Sequence, residues 1–111
     1  MSGYQILYYS EQVQDDILAL PPKLLARYVA LTKRMQAYGA NLGMPHSKAL
    51  NNGLFELRLK ADAGIARIFY CTRINKEIVM LHCLIKKTQK IPMNALNIAN
   101  QRLKEIKNAN P

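Results

Sequence analysis

The chain has 111 residues and a mass of 12.6 kDa, enough for one compact domain with a self-supporting core and too little for a second domain of ordinary size. Half of it is apolar and 21% is charged, with five Gly and five Pro, a composition that excludes disordered and fibrous chains. The formal net charge is +9 and uneven: residues 1–56 hold five Lys/Arg against four Asp/Glu, and residues 57–111 hold eleven against three. A field of one sign attracts polyanions, which makes nucleic acid the leading partner class, ahead of a basic solvated surface with no specific ligand.

In chain order, Tyr4-Gln5-Ile6-Leu7-Tyr8-Tyr9 reads as a short strand rich in aromatic and branched residues. Ser10 is placed to cap a helix running to about Leu20, with Val13, Ile17, Leu18 and Leu20 as its apolar side. Pro21-Pro22 stops that helix and opens the next, in which Leu24, Tyr28, Leu31 and Met35 recur at helical spacing while Lys23, Arg27, Lys33 and Arg34 point elsewhere, until Gly39 ends it. The two make a helical hairpin that should cover one face of a sheet. Residues 39–53 read as a loop carrying His46 and Lys48.

In residues 54–60, Phe55, Leu57 and Leu59 alternate with Glu56, Arg58 and Lys60, the pattern of a half-buried strand. A turn at Asp62-Ala63-Gly64 leads into a strand over 65–71, and a second turn near Asn75-Lys76 precedes a largely apolar strand from Glu77 to Ile85. Lys86-Lys87-Thr88-Gln89-Lys90 breaks the apolar run. Pro92 then opens a last helix with Ala95, Leu96, Leu103 and Ile106 on its buried side. The order predicts a single α+β domain over residues 1–111, with an N-terminal strand and helical hairpin, an antiparallel meander and a C-terminal helix.

Cys71 and Cys83 sit in apolar runs and read as free buried thiols. His46 and His82 are too few and too dissimilar in context to imply a metal, so neither a metal nor another cofactor is expected. The start lacks the pattern of a signal peptide and no stretch approaches 18 apolar residues, which predicts a cytoplasmic protein without a membrane partner.

By parity, Arg58 shares a face with Glu56 and Lys60, opposite the apolar set that must meet the helices, and so should point to the open side of the sheet. Arg67 is an isolated charge within an apolar strand. It is either a surface or salt-bridged residue, with Glu56 or Glu77 as partner, or an anion-binding arginine. The cluster Lys86, Lys87, Thr88 and Lys90 would close a basic concavity if it folds beside those strands, and otherwise is a solvated turn. Phe69, Tyr70 and His82 could stack on bases, although core packing is the commoner fate in such strands. His46, beside Lys48 in the loop, is the better placed proton carrier of the two histidines.

Taken together, Gly53-Leu54-Phe55-Glu56-Leu57-Arg58, Ala66-Arg67-Ile68-Phe69-Tyr70 and the run from Ile78 through Lys86-Lys87-Thr88-Gln89-Lys90-Ile91-Pro92 resemble the phage-derived Gp49-like branch of the HigB/RelE toxin superfamily. The resemblance covers essentially the whole chain. It implies the compact RelE-type fold, a toxin of a type II toxin–antitoxin module that cleaves messenger RNA endonucleolytically at the ribosome, and a cognate antitoxin that in this branch typically carries a helix-turn-helix domain. The family pattern matches Arg58 and Arg67, the Lys86/Lys87 to Lys90 segment and Lys48, with His46 a looser match. Better-studied relatives carry a tyrosine near the start of the terminal helix, where this chain has Ile91-Pro92-Met93.

Metal-independent RNA cleavage needs activation of the 2′-hydroxyl, stabilisation of charge on the scissile phosphate and protonation of the leaving 5′-oxygen. Arg58, Arg67, Lys87, Lys90 and His46 are the catalytic candidates. Lys48, Lys60, Lys86 and Thr88 are the RNA-binding ones. A crowd of cations can lower the pKa of a lysine enough for it to act as a base, and a histidine needs no such help. The competing readings are a non-catalytic RNA- or ribosome-binding protein and an inactive member that serves as corepressor of its antitoxin.

Overall fold

The computed structural model describes residues 3–62, 64–86 and 91–109. Strand β1 (Gln5–Tyr8) leads into helix α1 (Glu11–Leu18), helix α2 (Pro22–Tyr38), strands β2 (Ser47–Ala49), β3 (Phe55–Ala61), β4 (Gly64–Arg73) and β5 (Glu77–Lys86), and helix α3 (Met93–Ala109). As the sequence predicts, Ser10 caps α1, its hydroxyl accepting from the Val13 amide at 3.2 Å, and Pro22 takes the first turn of α2, where the missing N–H costs nothing. Gly39 ends α2 at φ 113°, a backbone angle that a side chain would strain.

The sheet order is β1-β5-β4-β3-β2. The last three long strands form the expected antiparallel meander. β1 instead runs parallel to β5, because the helical hairpin carries the chain across one face of the sheet before it returns. On that face Val13, Ile17, Leu24, Tyr28, Leu31 and Met35 pack against Leu57, Leu59, Ile68, Tyr70, Ile78 and Met80. α3 covers part of the opposite face, where Ala95, Ala99 and Leu103 meet Phe69, Cys71, Val79 and Leu81. Each large aliphatic side chain buried in this way contributes about 2 kcal/mol.

Between Phe69 and Tyr70 the β4–β5 register slips: Phe69 pairs with His82 and Tyr70 with Met80, leaving Leu81 as the extra residue of a bulge. The bulge explains how Leu81 and His82, adjacent in sequence, both belong to the α3 side of the sheet.

Residues 39–53, read as loop, contain a strand and a turn. β2 pairs with β3 through Ser47–Leu57, Lys48–Glu56 and Ala49–Phe55, and a 3-10 turn follows at Asn51–Gly53. The buried Ser47 organises the loop, its hydroxyl accepting from the amides of Leu42 (2.7 Å) and Gly43 (3.1 Å) and donating to Asn41 Oδ1 (3.1 Å). Among the described residues no helix is long and apolar enough to cross a membrane.

Candidate functional site

Strand β2 is short and pairs with β3 only as far as Leu57, so past the Arg58 amide the outer edge of β3 has no strand partner among the described residues. α2 runs over that edge. Its residues Arg27, Ala30, Leu31 and Arg34, spaced to share one helical face, line a cleft of about 360 Å3 together with Pro45, His46, Arg58, Lys60 and Ile65. Ala30 stands between the two exposed arginines and leaves the cleft its width. Three arginines, a lysine and an imidazole converge here, and no carboxylate is among the described lining residues. The loop is fixed to the sheet at this point by the Arg58 amide, which donates to the His46 carbonyl at 2.8 Å.

Beside the cleft, the β3–β4 register places Arg58 directly opposite Arg67. Two like charges at opposed positions repel, and a buried one cannot persist without a counter-charge. Glu56, two residues before Arg58 and on the same face, provides it. Arg67 Nη1 donates to Glu56 Oε2 at 2.6 Å, and Arg58 Nη2 lies at a looser 3.5 Å from Glu56 Oε1. The Arg67 side chain is 0% exposed, that of Glu56 1% and that of Arg58 25%. The three therefore divide their work. Arg67 is locked inside by the carboxylate, whereas Arg58 keeps part of its guanidinium in solvent and has a buried Nε with no hydrogen-bond partner among the described residues.

This geometry bears on each expected site residue. His46, Arg58 and Lys60 come together in the cleft. Arg67 takes the ion pair with Glu56 and offers no exposed surface to a phosphate; its link to the cleft runs through Glu56 to Arg58. Arg58, expected on an open face, is partly buried because it lines the cleft beside α2 and Glu56 draws its head group inward. Lys48 is exposed on β2 opposite Glu56 and lines a different pocket, between the 3-10 turn and α3. Lys86 ends β5 in register with Ile65, and Lys87, Thr88 and Lys90 lie outside the described residues. Arg27 and Arg34 were legible only as exposed helix residues; their seven-residue spacing around an alanine was the available signal.

The three candidates for stacking are otherwise engaged. Phe69 and Tyr70 are fully buried, the Tyr70 ring stacking on Phe55 at 5.3 Å and its hydroxyl donating to the Ala40 carbonyl at 2.6 Å. Desolvation pushes that phenol up to about 12. His82 is half-buried opposite Phe69, and desolvation, aided by the Arg102 guanidinium, holds its pKa below the ordinary histidine value. Burial likewise raises the thiols of Cys71, to about 11, and Cys83, to about 12, which keeps both protonated and inert.

Residues 15–104 match the family described as phage derived protein Gp49-like (DUF891). No curated protein sequence matches the chain. Among solved structures, the fold is shared with a YoeB–YefM complex from Staphylococcus aureus (20% identity, 75% of this chain and 97% of that one, TM-score 0.56) and with a RelE–RelB complex from Pyrococcus horikoshii OT3 (17% identity, 81% and 100%, TM-score 0.57). A mutant of the E. coli toxin RelE in its free state is also similar (13% identity, 94% and 98%, TM-score 0.54). At these identities the likeness is one of fold.

Proposed function

The chain belongs to the phage-derived Gp49-like family, and from that premise we propose that it is the toxin of a type II toxin–antitoxin module, an endoribonuclease that cleaves messenger RNA on the ribosome. The observation that carries the reading is the cleft in which Arg27, Arg34, Arg58, Lys60 and His46 converge without a carboxylate. Such a site holds a polyanion and leaves one imidazole free for proton transfer.

In the proposed reaction the RNA backbone enters along the open edge of β3. The 2′-oxygen loses its proton and attacks phosphorus, a new P–O2′ bond forms, and the P–O5′ bond breaks to leave a cyclic phosphate and a protonated 5′-hydroxyl. Arg58 and Lys60 stabilise the added charge on the phosphoryl oxygens, with Arg27 and Arg34 holding the flanking backbone. His46 carries one of the two protons. Arg67 acts through Glu56, setting the position of Arg58. Lys87 and Lys90, which follow β5 in sequence, supply the second proton carrier and further positive charge, while Lys48, Lys86 and Thr88 contact the RNA.

The partner in this reading is a cognate antitoxin with a helix-turn-helix domain. Two structures of similar fold are complexes, YoeB with YefM and RelE with RelB, and a strongly cationic cleft is a surface that an acidic segment neutralises. The test is production of the chain alone and with its partner, followed by mapping of messenger ends in a ribosome-programmed translation reaction. New RNA ends that vanish in Arg58→Ala and His46→Ala support the proposal. Intact messenger with stalled ribosomes favours the second reading, a non-catalytic ribosome binder, which gains support from the burial of the Arg67 side chain against Glu56.

A further inference from the structure

On the far side of β2 from the cationic cleft lies a second cavity of about 360 Å3, between the 3-10 turn at Asn51–Gly53 and the N-terminal half of α3. Its chemistry differs from that of the cleft. Three carboxamides, from Asn51, Asn52 and Asn100, share it with the aliphatic side chains of Leu50, Leu54, Ile91 and Leu96, and Lys48 stands at its edge. None of the three side-chain amides is hydrogen-bonded within the described residues. Asn51 and Asn52 are exposed and Asn100 is partly buried, and each carboxamide carries donors and an acceptor that a ligand in this space can use.

The walls are set in place. Leu54 is buried, and the amide of Leu50 donates to the Leu54 carbonyl at 2.7 Å. Asn52 adopts the left-handed region at φ 64°, and its carbonyl accepts from Lys107 Nζ at 2.6 Å, tying the turn to α3. A cavity held on both sides, apolar on its walls and amide-lined, suits a flat group with a hydrogen-bonding edge and little charge. A nucleobase is such a group: apolar side chains take its faces, and carboxamides pair with the donor and acceptor pattern of its edge.

Position links this cavity to the cleft. His46 lines the one and Lys48 the other, two residues apart with the buried Ser47 between them, a span of about 7 Å along an extended chain. Lys48 is thus placed to meet a backbone phosphate passing from the cleft towards the cavity.

We infer that the cavity lined by Asn51, Asn52, Asn100, Leu50, Leu54 and Leu96 is a base-reading subsite, which takes one unpaired nucleobase next to the phosphate held in the cationic cleft and so sets sequence preference. The inference rests on the RNA-acting reading given above, and it can fail separately from it. The experiment titrates the four nucleoside 3′-monophosphates, and inorganic phosphate as control, into the isotope-labelled protein while side-chain amide resonances are followed. At least one nucleotide should shift the amides of Asn51, Asn52 and Asn100, with affinities spread tenfold or more across the four bases; inorganic phosphate should leave those amides in place. Leu96→Trp, which fills the cavity, should weaken the favoured nucleotide by tenfold or more. Asn100→Ala, a substitution on the surface of α3, should compress the spread between bases with the thermal midpoint unchanged, so the inference does not depend on folding of the larger substitution. Equal affinity for all four bases, or nucleotide shifts confined to His46, Arg27, Arg34 and Arg58, overturns it. Amide shifts caused by the partner protein and by no nucleotide also overturn it, in favour of a protein-docking surface. Base binding without any RNA cleavage would instead sink the nuclease reading and leave the subsite standing.

Discussion

Arg67 Nη1 sits 2.6 Å from Glu56 Oε2 with both side chains withdrawn from solvent, so the most deeply placed cation among the described residues is bound to a carboxylate eleven residues away. Removing one partner of such a pair leaves the other charge buried and uncompensated, which costs about 3 kcal/mol or more. Glu56→Gln should therefore lower the unfolding midpoint by roughly 10 °C or more in a domain of this size. Arg67→Ala should lose RNA cleavage in step with lost folding. Paired denaturation and cleavage measurements check both; an Arg67→Ala protein of native stability with abolished cleavage would show that Arg67 reaches the substrate itself.

Arg58 is the contrasting case, since its side chain is partly exposed and its contact with Glu56 is long. Arg58→Ala should reduce single-turnover cleavage on the order of 100-fold, as loss of one charged transition-state donor does, with a small change in thermal midpoint. Lys33→Ala, exposed on α2 and outside the cleft, should leave cleavage near the wild-type rate. Lys87→Ala should also reduce cleavage. A wild-type rate for Arg58→Ala would place the phosphate elsewhere.

Arg27 and Arg34 are expected to bind backbone rather than take part in bond breaking. The double Arg27→Ala, Arg34→Ala variant should weaken single-stranded RNA, and the slope of log affinity against log salt should fall by roughly 1.4, the value for two lost phosphate contacts. Filter binding across a range of salt concentrations measures the slope. An unchanged slope would remove the α2 face from the RNA path.

His82 makes stability depend on pH. Its folded pKa is lowered, by desolvation first and by Arg102 second, with Asp16 opposing. The unfolded chain therefore takes up the proton first as pH falls below about 6.5, and stability is lost as pH drops through the folded value. The thermal midpoint should decline between pH 7 and pH 5, and His82→Gln should flatten that decline. Equal slopes for the two proteins would show that carboxylates alone account for it.

Much of the fold was written locally. The Leu24-Tyr28-Leu31-Met35 stripe and, within the alternation from Phe55 to Lys60, Leu57 and Leu59 are buried as their spacing assigns, Phe55 is partly buried, and Glu56 departs from the pattern because Arg67 draws it inside. Ser47–Ala49 was not legible as a strand, because three residues carry no alternation and the segment is held by the Ser47 hydroxyl rather than by propensity. The Glu56–Arg67 pair lay within reach of the sequence. A tight turn that sets Ala61 opposite Gly64 also sets Arg58 opposite Arg67, and two facing arginines call for a nearby acid. The approach of Arg27 and Arg34 to the β3 edge was out of reach, since it depends on where α2 crosses the sheet, a relation between segments distant in sequence.

The bulge at Leu81 makes the chain unequal in its tolerance of length change. Deleting one residue from the first half of β5 would exchange the two surfaces of that strand, driving Val79 toward the helical hairpin and Met80 toward α3. The same deletion between Gly39 and Gly43 would turn no strand over; its cost would be the hydrogen bonds that Ser47 and Tyr70 make to Ala40, Asn41, Leu42 and Gly43. Inherited insertions and deletions should therefore be excluded from β5, whose residue count decides which side chains meet the helical hairpin and which meet α3.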